Sequence, residues 1–118
     1  MGELAAIQHI ALQQGASYTQ TIDVLDADGA AVDLTGATAI MQVRHGPNSR
    51  DVLIELSTSN GRLVIDGEAG TITLRLTAAE TAALQSGGVY DLFVTYPDDG
   101  GTDKLVQGTV GLSQSVTQ

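Results

Sequence analysis

Hydrophobic and polar residues alternate with a period of two through most of this chain, and the apolar runs are short. The clearest case is 71–76, where Ile72, Leu74 and Leu76 share one face while Thr71, Thr73 and Arg75 share the other. That is the pattern of a strand buried on one side only. Segment 18–25 repeats it, with Tyr18, Gln20, Ile22 and Val24 opposite Thr19, Thr21 and Asp23, and 38–44 groups Ala39, Met41 and Val43. Leu63 and Ile65 alternate with Arg62, Val64 and Asp66. Further strands are expected at 5–12, 52–56, 89–96 and 105–112, with a short extended piece around Val32. Segment 89–96 is apolar on both faces except at Asp91 and Thr95, which predicts a central strand. Glycine, Asp, Asn and Pro fall between these segments, as turn chemistry requires. Asp28-Gly29 and Asn60-Gly61 suit positive φ, and Pro47 belongs outside any central ladder.

One stretch breaks the alternation. Thr77-Ala78-Ala79-Glu80 has the spacing of a capping box, with Thr as N-cap and Glu three residues later. The short helix it opens carries Ala82, Ala83 and Leu84, and Gly87-Gly88 is expected to stop it. About eight strands at ~8–12-residue spacing, with a single short helix, predict an all-β fold. The expected architecture is an immunoglobulin-like antiparallel β-sandwich forming one domain over 1–118. A parallel βαβ sheet would need repeated helical crossovers, and only one short helical segment is present.

Composition sharpens this picture. The chain has one Phe, three Tyr and no Trp among 118 residues, so Val, Ile, Leu, Ala and Thr must build the core and sheets. A net charge of −9 disfavours nucleic acid and anionic membrane surfaces as partners. The absence of cysteine removes disulfides, thiolate metal sites and a cysteine nucleophile. No apolar run approaches the ~20 residues of a membrane-spanning helix, and Met1-Gly2-Glu3-Leu4 lacks the basic start of an export signal.

The candidate chemistry is sparse. His9 and His45 stand alone, without the spacing of a metal motif. No GxSxG elbow or phosphate-binding loop occurs, and the five basic residues are scattered along the chain. Asp26, Asp28 and Asp33 cluster near one glycine, and Asp98, Asp99 and Asp103 near two more. These are better read as turn residues than as calcium ligands, since EF-hand spacing is missing. Tyr90 and Tyr96 fall on one face of their strand and Phe93 on the other, a placement read as core packing rather than a sugar platform. The expectation is a protein without catalytic residues, cofactor or metal, which works through its surfaces.

The ordered set of segments carries a resemblance. It runs through Gln14-Gly15-Ala16-Ser17-Tyr18, Asp28-Gly29, Asp33-Leu34-Thr35-Gly36-Ala37-Thr38 and Met41-Gln42-Val43-Arg44. It continues through Asn60-Gly61-Arg62-Leu63, Gly70-Thr71-Ile72-Thr73-Leu74, Gly88-Val89-Tyr90-Asp91-Leu92, Leu105-Val106-Gln107-Gly108-Thr109-Val110 and Val116-Thr117. The set is similar to small accessory proteins of tailed bacteriophages. It also resembles, more distantly, the immunoglobulin-like N-terminal domain of phage upper baseplate proteins. That domain attaches to the particle before the polypeptide continues into receptor-binding regions, and this chain resembles the attachment module alone. The resemblance implies a structural component of the virion, in the tail, baseplate or neck, with a role in seating fibres. Its partners would be other virion proteins and its own copies in a homo-oligomer. A capsid decoration protein is the alternative within the class, and a carbohydrate-binding or adhesin-like sandwich is the alternative outside it. Edge strands can pair with neighbouring chains. Assembly contacts are therefore expected at the two chain ends, from Leu4, Ile7, His9, Ile10, Leu12, Ser113 and Val116.

Overall fold

The computed structural model describes residues 6–97 and 100–114. Nine strand segments and one helix follow in order among them: β1 (Ala6–Ile7), β2 (Ile10–Gln13), β3 (Tyr18–Asp23), β4 (Thr38–Arg44), β5 (Val52–Ser57), β6 (Leu63–Asp66), β7 (Thr71–Leu76), α1 (Ala78–Ala83), β8 (Gly88–Thr95) and β9 (Thr102–Ser113). They form two sheets. The larger has the order β1-β9-β8-β4-β5, with β2 also on β9, and the smaller has the order β3-β7-β6. Segments β1 and β2 are two halves of one edge strand interrupted at Gln8-His9, so eight strand positions make the sandwich. The first strand was expected to be continuous over 5–12; the break arises because the Gln8 carbonyl turns to accept a bond from the Tyr90 hydroxyl, 2.8 Å away.

The alternation in the sequence becomes the inside and outside of the sandwich. Ile72, Leu74 and Leu76 from β7 meet Met41 and Val43 from β4, Leu92 and Val94 from β8, and Val106 and Val110 from β9 in one buried cluster. Leu34, Ile72, Leu92 and Val94 are completely buried. Burying a side chain of that size stabilises the fold by roughly 1.5–3 kcal/mol. Leu34 comes from the connection between β3 and β4, and its amide donates to the Gly67 carbonyl at 2.9 Å, so that loop closes one end of the core.

Most pairing is antiparallel, as expected. The exception is the edge: β1 and β2 both run parallel to β9, with Ala6 beside Val106 and Gln13 beside Ser113. The last strand is therefore interior, flanked by β8 on one side and the first strand on the other. Strand β9 begins at Thr102 and includes Ser113, which the sequence pattern assigns to the start of a polar tail.

The capping box forms as spelled. Thr77 Oγ1 accepts from the Glu80 amide at 3.1 Å, and Glu80 Oε1 accepts from the Thr77 amide at 2.8 Å. Glu80 is also ion-paired with Arg62. The helix ends earlier than predicted, with Leu84 as an extended C-cap. Gly87 and Gly88 serve a different purpose from stopping it. A Cβ on Gly87 would overlap the Val110 carbonyl, and one on Gly88 the Arg44 carbonyl, so both glycines let β8 enter tightly between β9 and β4.

Candidate interaction surfaces

The expected assembly residues separate once the fold is known. Ile10 and Leu12 point into the core, only 3% and 4% exposed, so their side chains are unavailable to a partner. The cause is the period of two: in β2 the exposed positions are Ala11 and Gln13. His9 is exposed at the break between β1 and β2, where its Nδ1 bonds Thr109 Oγ1 at 2.7 Å and its ring lies over Gly111. Ile7 pairs with Gln107 in β1, and Ser113 with Gln13. Leu4 and Val116 lie outside the described residues.

The turn before β3 is pinned. Thr81, fully buried in α1, donates to the Ala16 carbonyl at 2.8 Å and accepts from the Gly15 amide at 3.0 Å. Gln14 Nε2 donates to the Leu84 carbonyl at 2.8 Å. The first strand is thus fastened at its far end as well as along β9.

The opposite edge, β5, is guarded. Asn60 Oδ1 accepts from the Ser57 amide at 3.0 Å, and Asn60 Nδ2 and Arg62 Nη1 both donate to the Glu55 carbonyl at 3.0 and 2.9 Å. A register shift between Val43 and Arg44 adds a bulge to the pairing of β4 with β5. Side chains that occupy edge amides and carbonyls, and bulges that bend the strand, both discourage strand addition.

The outer face of the larger sheet is a further candidate surface. Its middle rows run Arg44–Val89–Thr109, then Glu55–Gln42–Asp91–Gln107, then Ile40–Phe93–Lys104. Polar side chains link across it: Arg44 Nη2 donates to Gln42 Oε1 at 2.7 Å, and Gln42 Nε2 to Glu55 Oε1 at 2.9 Å. Arg44 Nη1 also donates to the Ser49 and Arg50 carbonyls, which fixes the loop after β4. Lys104 Nζ sits 3.8 Å from Asp91 Oδ2, donates to Gln107 Oε1 at 3.2 Å and lies 5.7 Å from the centre of the Phe93 ring. The face is open and shallowly concave, about 420 Å³, with Arg44, Pro47, Val89, Asp91 and Lys104 around it.

Phe93 was expected in the core. It lies instead on this outer face, half-buried beside Ile40, which is 39% exposed. The alternation of β8 sends Tyr90, Leu92 and Val94 inward and Phe93 outward. Tyr90 is the buried aromatic, and burial, with the nearby Tyr18, pushes its hydroxyl up to about 12.

In the first aspartate loop, Asp26 and Asp33 form turns, as read from the sequence. Asp26 Oδ1 accepts from the Asp28 and Ala30 amides, and Asp33 Oδ1 from the Thr35 amide and hydroxyl. Those bonds hold the Asp33 carboxyl below its ordinary range, the Thr35 hydroxyl contributing most. Asp98 and Asp99 lie outside the described residues. No group of three or more His, Cys, Asp or Glu gathers as a metal site among the described residues.

The sequence model of the LtfC-like, beta-sandwich domain matches residues 5–113. The chain belongs to this family. LtfC-like domains are phage-associated, and the matched span takes in both sheets and the helix. A search of curated proteins found no match in sequence. Among solved structures, this LtfC-like chain is similar to the natural killer cell receptor NKp44, described as a triggering partner in natural cytotoxicity. The TM-score is 0.54 at 16% identity, over 94% of this chain and all of that one. At that identity the likeness shows the fold alone: an immunoglobulin-like β-sandwich.

Proposed function

We propose that this chain is a structural, non-enzymatic component of a tailed-phage particle, an attachment module in the tail, baseplate or neck. The observation that carries the reading is membership of the phage-associated LtfC-like family over 5–113. The distribution of side chains supports it. Asp26 and Asp33 bond their own turns, Tyr90 is committed to the backbone, and the open polar–apolar face of the larger sheet suits protein contact. The partners in this reading are other virion proteins and further copies of the chain. A carbohydrate platform has less support: Phe93 is the one aromatic on that face among the described residues, and Lys104 stands over its ring.

The test is cryo-electron microscopy of particles whose genome encodes the chain, with peptide mass spectrometry of the purified particles. Sandwich-shaped density on the tail, baseplate or neck is the expected result. Density on the capsid lattice would make it a decoration protein instead, and absence from the particle would overturn the structural reading.

A further inference from the structure

The charges of this chain are unevenly placed. It has only five Lys and Arg residues against a net charge of −9. Three of the five, Arg44, Arg50 and Lys104, stand on or beside the concave outer face of the larger sheet. At one end of the sandwich, loops 23–37 and 66–70 carry Asp23, Asp26, Asp28, Asp33, Asp66 and Glu68, all exposed, and no basic residue. Those loops are one packed surface. The Val24 amide donates to the Gly70 carbonyl and the Leu34 amide to the Gly67 carbonyl, both at 2.9 Å. Gly67 and Gly70 approach the 31–35 segment so closely that a Cβ on either would collide with its backbone.

Repulsion opposes contact between two copies of a protein this acidic, except where the local charge is not negative. The concavity is such a place: Arg44 and Lys104 stand against Asp91 at its wall and Glu55 in the same row of the face, so its local charge is close to zero rather than negative. Ile40 and Phe93 beside it supply the apolar patch that interface centres use. Pairing through the β5 edge is a poorer route, because Asn60 and Arg62 cap it. We infer that the concave face docks the acidic loop end of a second copy, a head-to-face contact between unlike surfaces. Such a contact closes into a ring or continues as a filament, whereas a face paired with itself stops at a dimer. The inference does not depend on where the protein resides in a particle.

Two double variants test it, each changing exposed residues only: Arg50→Glu with Lys104→Glu on the face, and Asp28→Lys with Glu68→Lys on the loops. Sedimentation velocity would be run at about 50 mM and about 500 mM NaCl, where screening lengths differ roughly threefold. Wild-type protein is expected to associate with rising concentration at the lower salt and to weaken at the higher. Each variant alone is expected to be monomeric. An equimolar mixture of the two is expected to form heterodimers, because one intact loop end can meet one intact face. Circular dichroism checks that both variants fold. If the loop variant still dimerised while the face variant did not, the face would be pairing with itself and the inference would fail. A wild-type protein monomeric at both salts would overturn it too.

Discussion

Adding one methyl group at Gly108 probes what holds the first strand in place. Gly108 lies in β9 opposite Tyr90, where the chain between β1 and β2 crosses over it. A Cβ there would stand 2.9 Å from the Gln8 carbonyl carbon and 3.2 Å from its nitrogen, and closer still to the oxygen. These are backbone atoms, so no rotamer change relieves the overlap. The strand must lift, and two bonds centred on Gln8 go with it: the Tyr90 hydroxyl to the Gln8 carbonyl at 2.8 Å, and the Gln8 amide to the Gln107 carbonyl at 2.9 Å. Each is worth about 1 kcal/mol, and a buried hydroxyl left unpaired adds about 1–3 kcal/mol. Allowing for relaxation, Gly108→Ala should destabilise by about 2–4 kcal/mol, a large share of the ~5–15 kcal/mol typical of a domain. Urea unfolding followed by circular dichroism measures the loss, and hydrogen exchange over residues 8–13 should rise more than over β7. Combining the change with Tyr90→Phe should cost less than the sum of the two, since both remove the same bond. A loss below about 0.5 kcal/mol, with exchange in the first strand unchanged, would refute this account of the break at Gln8-His9.

Other outcomes follow from the same interior. Tyr90 has a raised pKa in the folded state, so its contribution to stability is intact below pH 10 and falls as pH rises towards 12, by roughly 1–2 kcal/mol after discounting for solvent access; the stability gap between wild type and Tyr90→Phe, set by the lost bond to Gln8, should be constant below pH 10 and shrink in this window alone. Thr81→Val keeps the shape but strands the Gly15 amide and Ala16 carbonyl, and should cost about 2–3 kcal/mol, with faster exchange at residues 14–17. Thr77→Ala removes the helix N-cap and should cost about 1 kcal/mol in the same urea assay. Asn60→Ala uncovers the Ser57 amide on the β5 edge, so light scattering on mild heating should show earlier aggregation than in wild type.

Period-two alternation made the sandwich legible, because a half-buried strand has no other way to be written. Ile72, Leu74 and Leu76 could be placed inside without a structure, and Thr77 and Glu80 announced their helix through chemistry confined to four residues. What stayed hidden depends on contacts between distant segments. Nothing local to residues 6–13 says that they pair parallel with 106–113, since an edge strand alternates alike in either direction. Phe93 was misplaced because a strand that is apolar on both faces gives no sign of which face is covered. Gly87 and Gly88 look like a helix stop, and only the nearness of Val110 and Arg44 reveals their purpose. The concave face was invisible for the same reason: Arg44 and Lys104 are 60 residues apart in sequence and meet only through the pairing of β4, β8 and β9.

The parallel pairing of the first and last strands has a mechanical consequence. Because both point the same way, tension applied at residue 6 and residue 113 pulls the two strands past each other along their length. The hydrogen bonds of the β1–β2 segments to β9 then bear load together, and yielding requires them to give way nearly at once. An antiparallel hairpin pulled from its open end would unzip instead, losing its bonds in succession. Forced unfolding is governed by the barrier to that first rupture rather than by equilibrium stability. A module with this edge can transmit force along its long axis while remaining only moderately stable in solution.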